Sequence, residues 1–419
     1  MKKFAIILSL LILFSCTSKD VIIEEISFLY DNSNAQPSLV SNNGSLSLTW
    51  ISTDKEMNAS LNFRQFKDEE WTTLQTLAIG SDWFVNWADF PTHAVSGDQV
   101  LTSYLKKSAS GTYTYDVYLN LQKLSGEKIK EDFILNTDGF KAEHGFVSIV
   151  ANDNEGFFIT WLDGRNTVEK EEDGGHKPMT IRFAEITNAG DLINEIELDS
   201  SVCDCCQTSI TNTDKGPLVV YRDRSEKEVR DIYITRNIND VWEAPIPVHN
   251  DGWVIYGCPV NGPKVVSNSN NLAVSWFTVS DGKPTVNISF SEFYGSSVGN
   301  PIKINDYDAI GRVDVAFLNE EEVLVSYMEG DDDGTYLRIK KNNTFLFDKI
   351  NDPSIEDGED KSDIIDSLRD FIEDNLADIN LIINEQKTSN TRQIIPNDAS
   401  GNIEIESEEI VKSILTGGK

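Results

Sequence analysis

The chain is short of basic charge, of cysteine and of long apolar runs, and each shortage removes a class of protein. Lysine and arginine number 36 against 69 aspartates and glutamates, a net charge of −33. Such a balance excludes a nucleic-acid partner, whose phosphates are held by basic patches. Only five cysteines occur in 419 residues, and they do not form the repeated C-x₂₋₄-C of a structural zinc module. The one apolar run, Phe4 to Phe14, is too short for a bilayer-spanning helix, which needs about 20 residues. No G-x-S-x-G, phosphate-binding P-loop or dinucleotide fingerprint is present. "EGDDDG" from Glu329 to Gly334 lacks the alternating ligands of an EF-hand and reads as a turn.

What is present describes an exported globular domain. The chain is 39% hydrophobic and 10% aromatic, ordinary values for a packed core. It opens "MKKFAIILSLLILFSCTSKD", where Lys2 and Lys3 precede the apolar run, the order of a secretion signal. The "LFSC" ending resembles the lipobox of bacterial lipoproteins. That resemblance implies a signal peptide over residues 1–15, lipidation (palmitate included) at Cys16, and a tether to residue 26. The expected location is the cell envelope, lipid-anchored, in the outer membrane. The other four cysteines would then sit outside the cytoplasm, where disulfides persist.

Short alternating strands ending in an aromatic and a turn recur six times: "LSLTWIS", "QVLTSYL", "GFFITWLDG", "PLVVYRDR", "LAVSWFT" and "EVLVSYME". Their spacing is roughly 45 to 60 residues, the length of one four-stranded propeller blade. A second pattern repeats at +3 and +6: Trp71, Leu74, Leu77; Trp242, Pro245, Val248; Val298, Pro301, Ile304. The predicted fold is all-β, a six-bladed β-propeller over residues 27–350.

"TRNINDVW" from Thr235 to Trp242 matches the frame of an Asp-box, S/T-x-D-x-G-x-x-W, with Asn237 and Asn239 in place of Asp and Gly. "SEFYGSSV" keeps Ser291 and Gly295, and "RQFKDEEW" keeps Trp71. With "DWFVNWADFP", "WLDGR", "CDCCQT" and "GCPVNGP", the chain resembles bacterial exported sialidase-like, or BNR-repeat, propellers. The resemblance implies a glycan-binding mouth and an exo-α-sialidase type of glycoside hydrolase chemistry. That chemistry requires three arginines around a substrate carboxylate, a Tyr–Glu nucleophile pair and an acidic acid/base. The arginine motif usual before the first Asp-box is missing, and Tyr221 and Tyr256 are merely near the expected site.

Strand alternation places the loops entering the inner strands on the same face as those between strands two and three. One mouth should therefore collect two constellations. The first is charged and aromatic. Asp89, Glu143, Asp163 and Asp314 are candidate catalytic groups, with Asp223 and Asp231 as further acids. Arg165, Arg222, Arg224, Arg230 and Arg312 are candidates to clamp an acidic glycan, or to brace loops in salt bridges. Trp83, Trp87 and Trp253 either stack on sugar rings or pack beneath their loops.

The second constellation is sulfur. Cys203, Cys205 and Cys206 enter blade four and Cys258 enters blade five, so the thiols of adjacent blades can meet. They serve as a disulfide staple, as a soft-metal site for copper or zinc with His144 as a further ligand, or as reactive thiols. A non-hydrolytic propeller with a metal or redox site is thus the alternative to a glycan-active one. Beyond residue 350, 17 acidic and 6 basic residues occupy 351–419. An acidic linker there precedes an amphipathic helix from Ile364 to Ile379, expected to pack on the propeller or meet a protein partner, and then a loosely ordered tail.

Overall fold

The computed structural model describes residues 34–42, 45–152, 156–168, 177–268, 271–291, 293–320, 322–331 and 334–343. Cys16 and its signal segment, the tether, and the acidic C-terminal segment with its expected helix lie outside them. Six antiparallel sheets succeed one another along the chain, one per blade of a six-bladed propeller. Each of the six recurring strands is the second of its blade: Ser45–Thr53, Gln99–Lys107, Phe157–Asp163, Gly216–Arg222, Asn271–Ser280 and Glu322–Asp331. Among the described residues, blade six has three strands.

Successive side chains of a strand point to opposite faces, so a strand covered on both sides shows no polar alternation. Phe157–Asp163 of blade three is buried at every position for that reason. Five apolar clusters fill the five successive gaps between blades. Phe63 and Tyr104 lie between blades one and two, Leu119 and Trp161 between two and three, and Phe183 and Tyr221 between three and four. Val220 and Trp276 occupy the fourth gap, Phe277 and Tyr327 the fifth. Each such large side chain contributes roughly 1.5–3 kcal/mol over leaving it in water.

The Asp-box-like segments are third-to-fourth-strand turns on the face opposite the mouth. Asn239 and Asp240 both have positive φ (53° and 67°), as do Asp68 and Glu69 (52° and 63°). Two consecutive left-handed residues make the turn whose twist matches a hairpin, and Asn and Asp tolerate it best. Trp71 then packs on Phe66 with ring centroids 5.2 Å apart, and Trp242 on Phe183 at 4.8 Å. In blades one and four the fourth strand is broken in two, so the +3, +6 pattern spans Glu70–Trp71 with Gln75–Gly80, and Val241–Trp242 with Ile246–Pro247.

Candidate functional site

The inner strands of blades two to five begin at His93, His144, Ser209 and Lys264, so the loops ahead of them converge on one face. Polar side chains knit these loops together. Gln207 Nε2 donates to Ala88 O at 2.7 Å, and Gly262 N donates to Gln207 Oε1 at 3.0 Å, joining blades two, four and five. Asn261 Nδ2 donates to Ile310 O, and Arg312 N donates back to Asn261 Oδ1, joining five to six. Gln36 Nε2 reaches Asn86 O from blade one. A Cβ on Gly262 would stand 1.9 Å from Gln207 O, so glycine permits this approach.

The thiols meet in this platform. Cys203 Sγ lies 3.2 Å from Cys206 Sγ and 4.0 Å from Cys205 Sγ, and all three sulfurs fall within 4.8 Å of one another. Cys203 and Cys206 are buried, Cys205 is half-buried, and the exposed Cys258 comes from the loop entering blade five. These separations are well beyond a disulfide bond of about 2.05 Å, and all four cysteines are free thiols. The expected staple is therefore not formed; the four groups are gathered but not bonded. Arg230 Nη1 donates to Cys203 Sγ at 3.2 Å. Hydrogen bonds from Cys205 and Cys206, aided by the Arg222 charge, hold the Cys203 thiol well below its usual range. Burial pushes Cys206 up to about 12.

A second cluster lies between blades two and three. Tyr115 Oη donates to Glu143 Oε1 at 2.7 Å and stands 3.5 Å from Asp89 Oδ2, so one hydroxyl bridges two carboxyl groups. Asp89 is 3% exposed, and the backbone of Gly145 passes so close that a Cβ there would fall 1.9 Å from Asp89 Oδ2. Burial raises the Asp89 carboxyl to about 8, keeping it protonated at neutral pH. Burial likewise raises Glu143 to about 7, with the Asp204 charge adding to it. Glu143 opens onto a cleft of about 380 Å³ lined also by Thr167, Lys177, Met179, Asp204 and Arg224. Asp204 joins the two clusters: it sits between Cys203 and Cys205, accepts from Met179 N, and pairs with Arg224 at 2.8 Å.

Four of the five mouth arginines are braces. Arg165 grips Asp163 and also reaches Asp138 and Glu195. Arg222 is 2% exposed and donates to Asn261 O, Arg230 O and Phe277 O. Arg224 forks onto Glu228 and Asp204, and Arg230 onto Glu228 and Cys203. Arg312 differs. Its guanidinium lies 5.3 Å from the ring of Trp87, which is 69% exposed, and it has no carboxylate within salt-bridge distance among the described residues.

The remaining candidates are absorbed by packing. Trp83 stacks on Tyr104 at 4.5 Å, and Trp253 is buried edge-on to Phe277 beneath Arg222. Asp163 accepts from Trp161 Nε1 as well as from Arg165. Asp231 accepts from the backbone N–H groups of Gly252 and Trp253. Asp223 is half-buried, and burial raises it to about 7. Asp314 is exposed and caps the N–H of Val315. His144 does not join the cysteines. It lies in a buried cage of Asp116, Asp138 and Asp163 whose hydrogen bonds and charges hold it protonated up to about 9 against the cost of burial. Arg165 is bound to Asp138 and Asp163, and Lys141 Nζ lies 3.6 Å from Asp116, so each aspartate of the cage already faces a second cation.

Two residues central to these clusters, Tyr115 and Asp204, were not among the sequence candidates. Tyr115 starts a third strand rather than a mouth motif, and its partners come from loops 26 residues before and 28 after. Asp204 carried a signal, since it interrupts the cysteine triplet. Tyr221 bonds Asp199 in the core, and Tyr256 is 86% exposed.

No protein-family model matches the chain, and a search of curated proteins returns no match. Solved structures similar in architecture include a Hadza microbial sialidase, at 12% identity and TM-score 0.44, covering 74% of this chain. The chain spans 66% of that sialidase's length, just under two thirds. A polysaccharide lyase, an ulvan lyase bound to -[GlcA(1-4)Rha3S]-, is 9% identical with TM-score 0.49, covering 75% of this chain and 83% of its own. The α-L-arabinofuranosidase of Fusarium graminearum is 12% identical with TM-score 0.46, covering 74% and 92%.

Proposed function

We propose that the mouth binds an acidic glycan and that Glu143 is the proton-transfer group in cleaving it. The observation that carries this reading is Glu143 itself, a carboxyl raised to about 7 that is bonded to Tyr115 and faces a cleft bearing Lys177 and Arg224. A general acid works best with a pKa near the operating pH, and Lys177 on the cleft wall suits a carboxylate or sulfate on the sugar. At 1% exposed, Tyr115 positions Glu143 and does not meet substrate, so it is not the nucleophile of a sialidase-like Tyr–Glu pair. Arg312 on the exposed Trp87 offers a second, stacking contact at the rim.

Glu143→Gln keeps the Tyr115 hydrogen bond and removes the proton. It is expected to lower release of reducing ends from sialylated or uronate-bearing oligosaccharides by about 10²–10⁴-fold, with binding held within a few fold. Wild-type turnover should fall above about pH 7, as Glu143 ionises. A variant as active as wild type would remove Glu143 from the chemistry, and failure of wild type to retain any acidic glycan would remove the reading.

The site is proposed to work in the cell envelope, anchored through Cys16. Cys16→Ser should move the protein from the membrane fraction to the soluble one. Unchanged fractionation would refute the anchor.

A further inference from the structure

The thiols of the platform form a second, independent site. Two thiolates bound to one ion at about 2.3 Å stand roughly 3.8 Å apart in tetrahedral geometry and slightly farther in a trigonal plane. Sulfur separations of 3.2 and 4.0 Å, with the third pair inside 4.8 Å, bracket that span. They are too long for a disulfide, and one between Cys205 and Cys206 would leave Cys203 alone beside Arg230.

From this geometry we infer that Cys203, Cys205 and Cys206 are the ligands of one soft, thiophilic metal ion, copper(I) being the ion that an all-sulfur three-coordinate set fits. Thiolate donors select copper(I), zinc or iron–sulfur clusters. Structural zinc takes four ligands, and the fourth thiol, the exposed Cys258, is outside the three sulfurs that lie within 4.8 Å of one another. Charge agrees with a monovalent ion. Three thiolates around copper(I) leave two negative charges, and the Arg222 and Arg230 guanidiniums stand beside them. The N–H of Arg230 on Cys203 Sγ orients that ligand from outside the coordination shell. Gln207, following the triplet, pins the loop to blades two and five, so the three sulfurs are held by a rigid frame. Binding needs no redox step: each thiol gives up its proton as its sulfur joins the ion.

The full mature protein, reduced and stripped of metal anaerobically, is titrated with copper(I) against a chromogenic copper(I) chelator. One ion per chain and a three-sulfur shell by X-ray absorption are expected. Cys203→Ser and Cys206→Ser should each lose more than the roughly 10–100-fold that removing an outer-shell partner costs. Cys258→Ser should stay within about threefold. If the buried variants fail to fold, the half-buried Cys205→Ser carries the test, and copper(I) should raise the melting temperature of wild type but not of that variant. A four-sulfur zinc shell, or equal loss in Cys258→Ser, would overturn the three-ligand assignment. No binding above the chelator, or a disulfide within the triplet in protein isolated without reductant, would overturn the site. None of these outcomes depends on Glu143 or on glycan turnover.

Discussion

Asp89→Asn is expected to stabilise the folded protein by about 4 kcal/mol near pH 7 and by almost nothing at pH 4. Burial sets the sign. In the unfolded chain this carboxyl ionises above about 4, whereas the folded site holds its proton to about 8. Between those values the folded state carries a proton that the unfolded state has released. Stability contributed by Asp89 is therefore whole below about pH 4 and declines as pH rises to about 8. Asparagine is neutral throughout and nearly the same shape, so it fits beneath Gly145 and removes the dependence. Denaturant melts of both proteins at pH 4, 6 and 8 would show the curves diverging with pH. Parallel curves would mean that Asp89 is ionised where it lies, and that Tyr115 and Glu143 sit beside a charge.

A buried acid that lowers stability at neutral pH asks for a reason, and its neighbours supply one. Because Asp89 is neutral, only Glu143 can carry charge beside Tyr115, and burial holds its proton, with the Asp204 charge on the cleft side adding to it. Groups that cost stability concentrate where chemistry needs them. Asp89→Asn should accordingly raise stability while leaving the pH dependence of turnover below about pH 8 as it is in wild type, because the group replaced is neutral there.

The fold was legible because its signal is periodic and local. The second strand of each blade carries buried apolar residues at regular spacing and an aromatic near its end, so the same short pattern shows six times over. The face on which the cysteines meet followed from the same register, since strand direction alone decides which loops share a mouth. Partnership was not legible. Arg165, Arg222, Arg224 and Arg230 lie in the expected loops, but whether an arginine clamps a ligand or braces a loop depends on carbonyls and carboxylates brought from other blades. Arg222 bonds Asn261 and Phe277, 39 and 55 residues away. His144 illustrates the same limit: its three aspartates come from residues 116, 138 and 163, and no spacing relates them. The Glu143–Tyr115 bond was hidden for that reason too.

Arg222→Ala should destabilise the protein by at least about 3–5 kcal/mol, the range for removing one partner of a buried charged network. The guanidinium lies between blades four and five and supplies N–H donors to three backbone carbonyls, with Trp253 against its plane at 4.9 Å. Alanine would leave those carbonyls buried without donors, at about 1–3 kcal/mol each where water cannot enter, and would open a cavity under Trp253. Arg222→Lys separates geometry from charge. An ammonium keeps the positive charge but cannot span Asn261, Arg230 and Phe277 with a planar fork, so most of the loss should persist. Urea melts of both variants decide the matter. A loss in Arg222→Ala that Arg222→Lys restores would make charge, and so the neighbouring thiols, the main reason for the arginine. Stability near wild type in both, with glycan affinity gone, would return Arg222 to the substrate clamp that its place at the mouth first suggested.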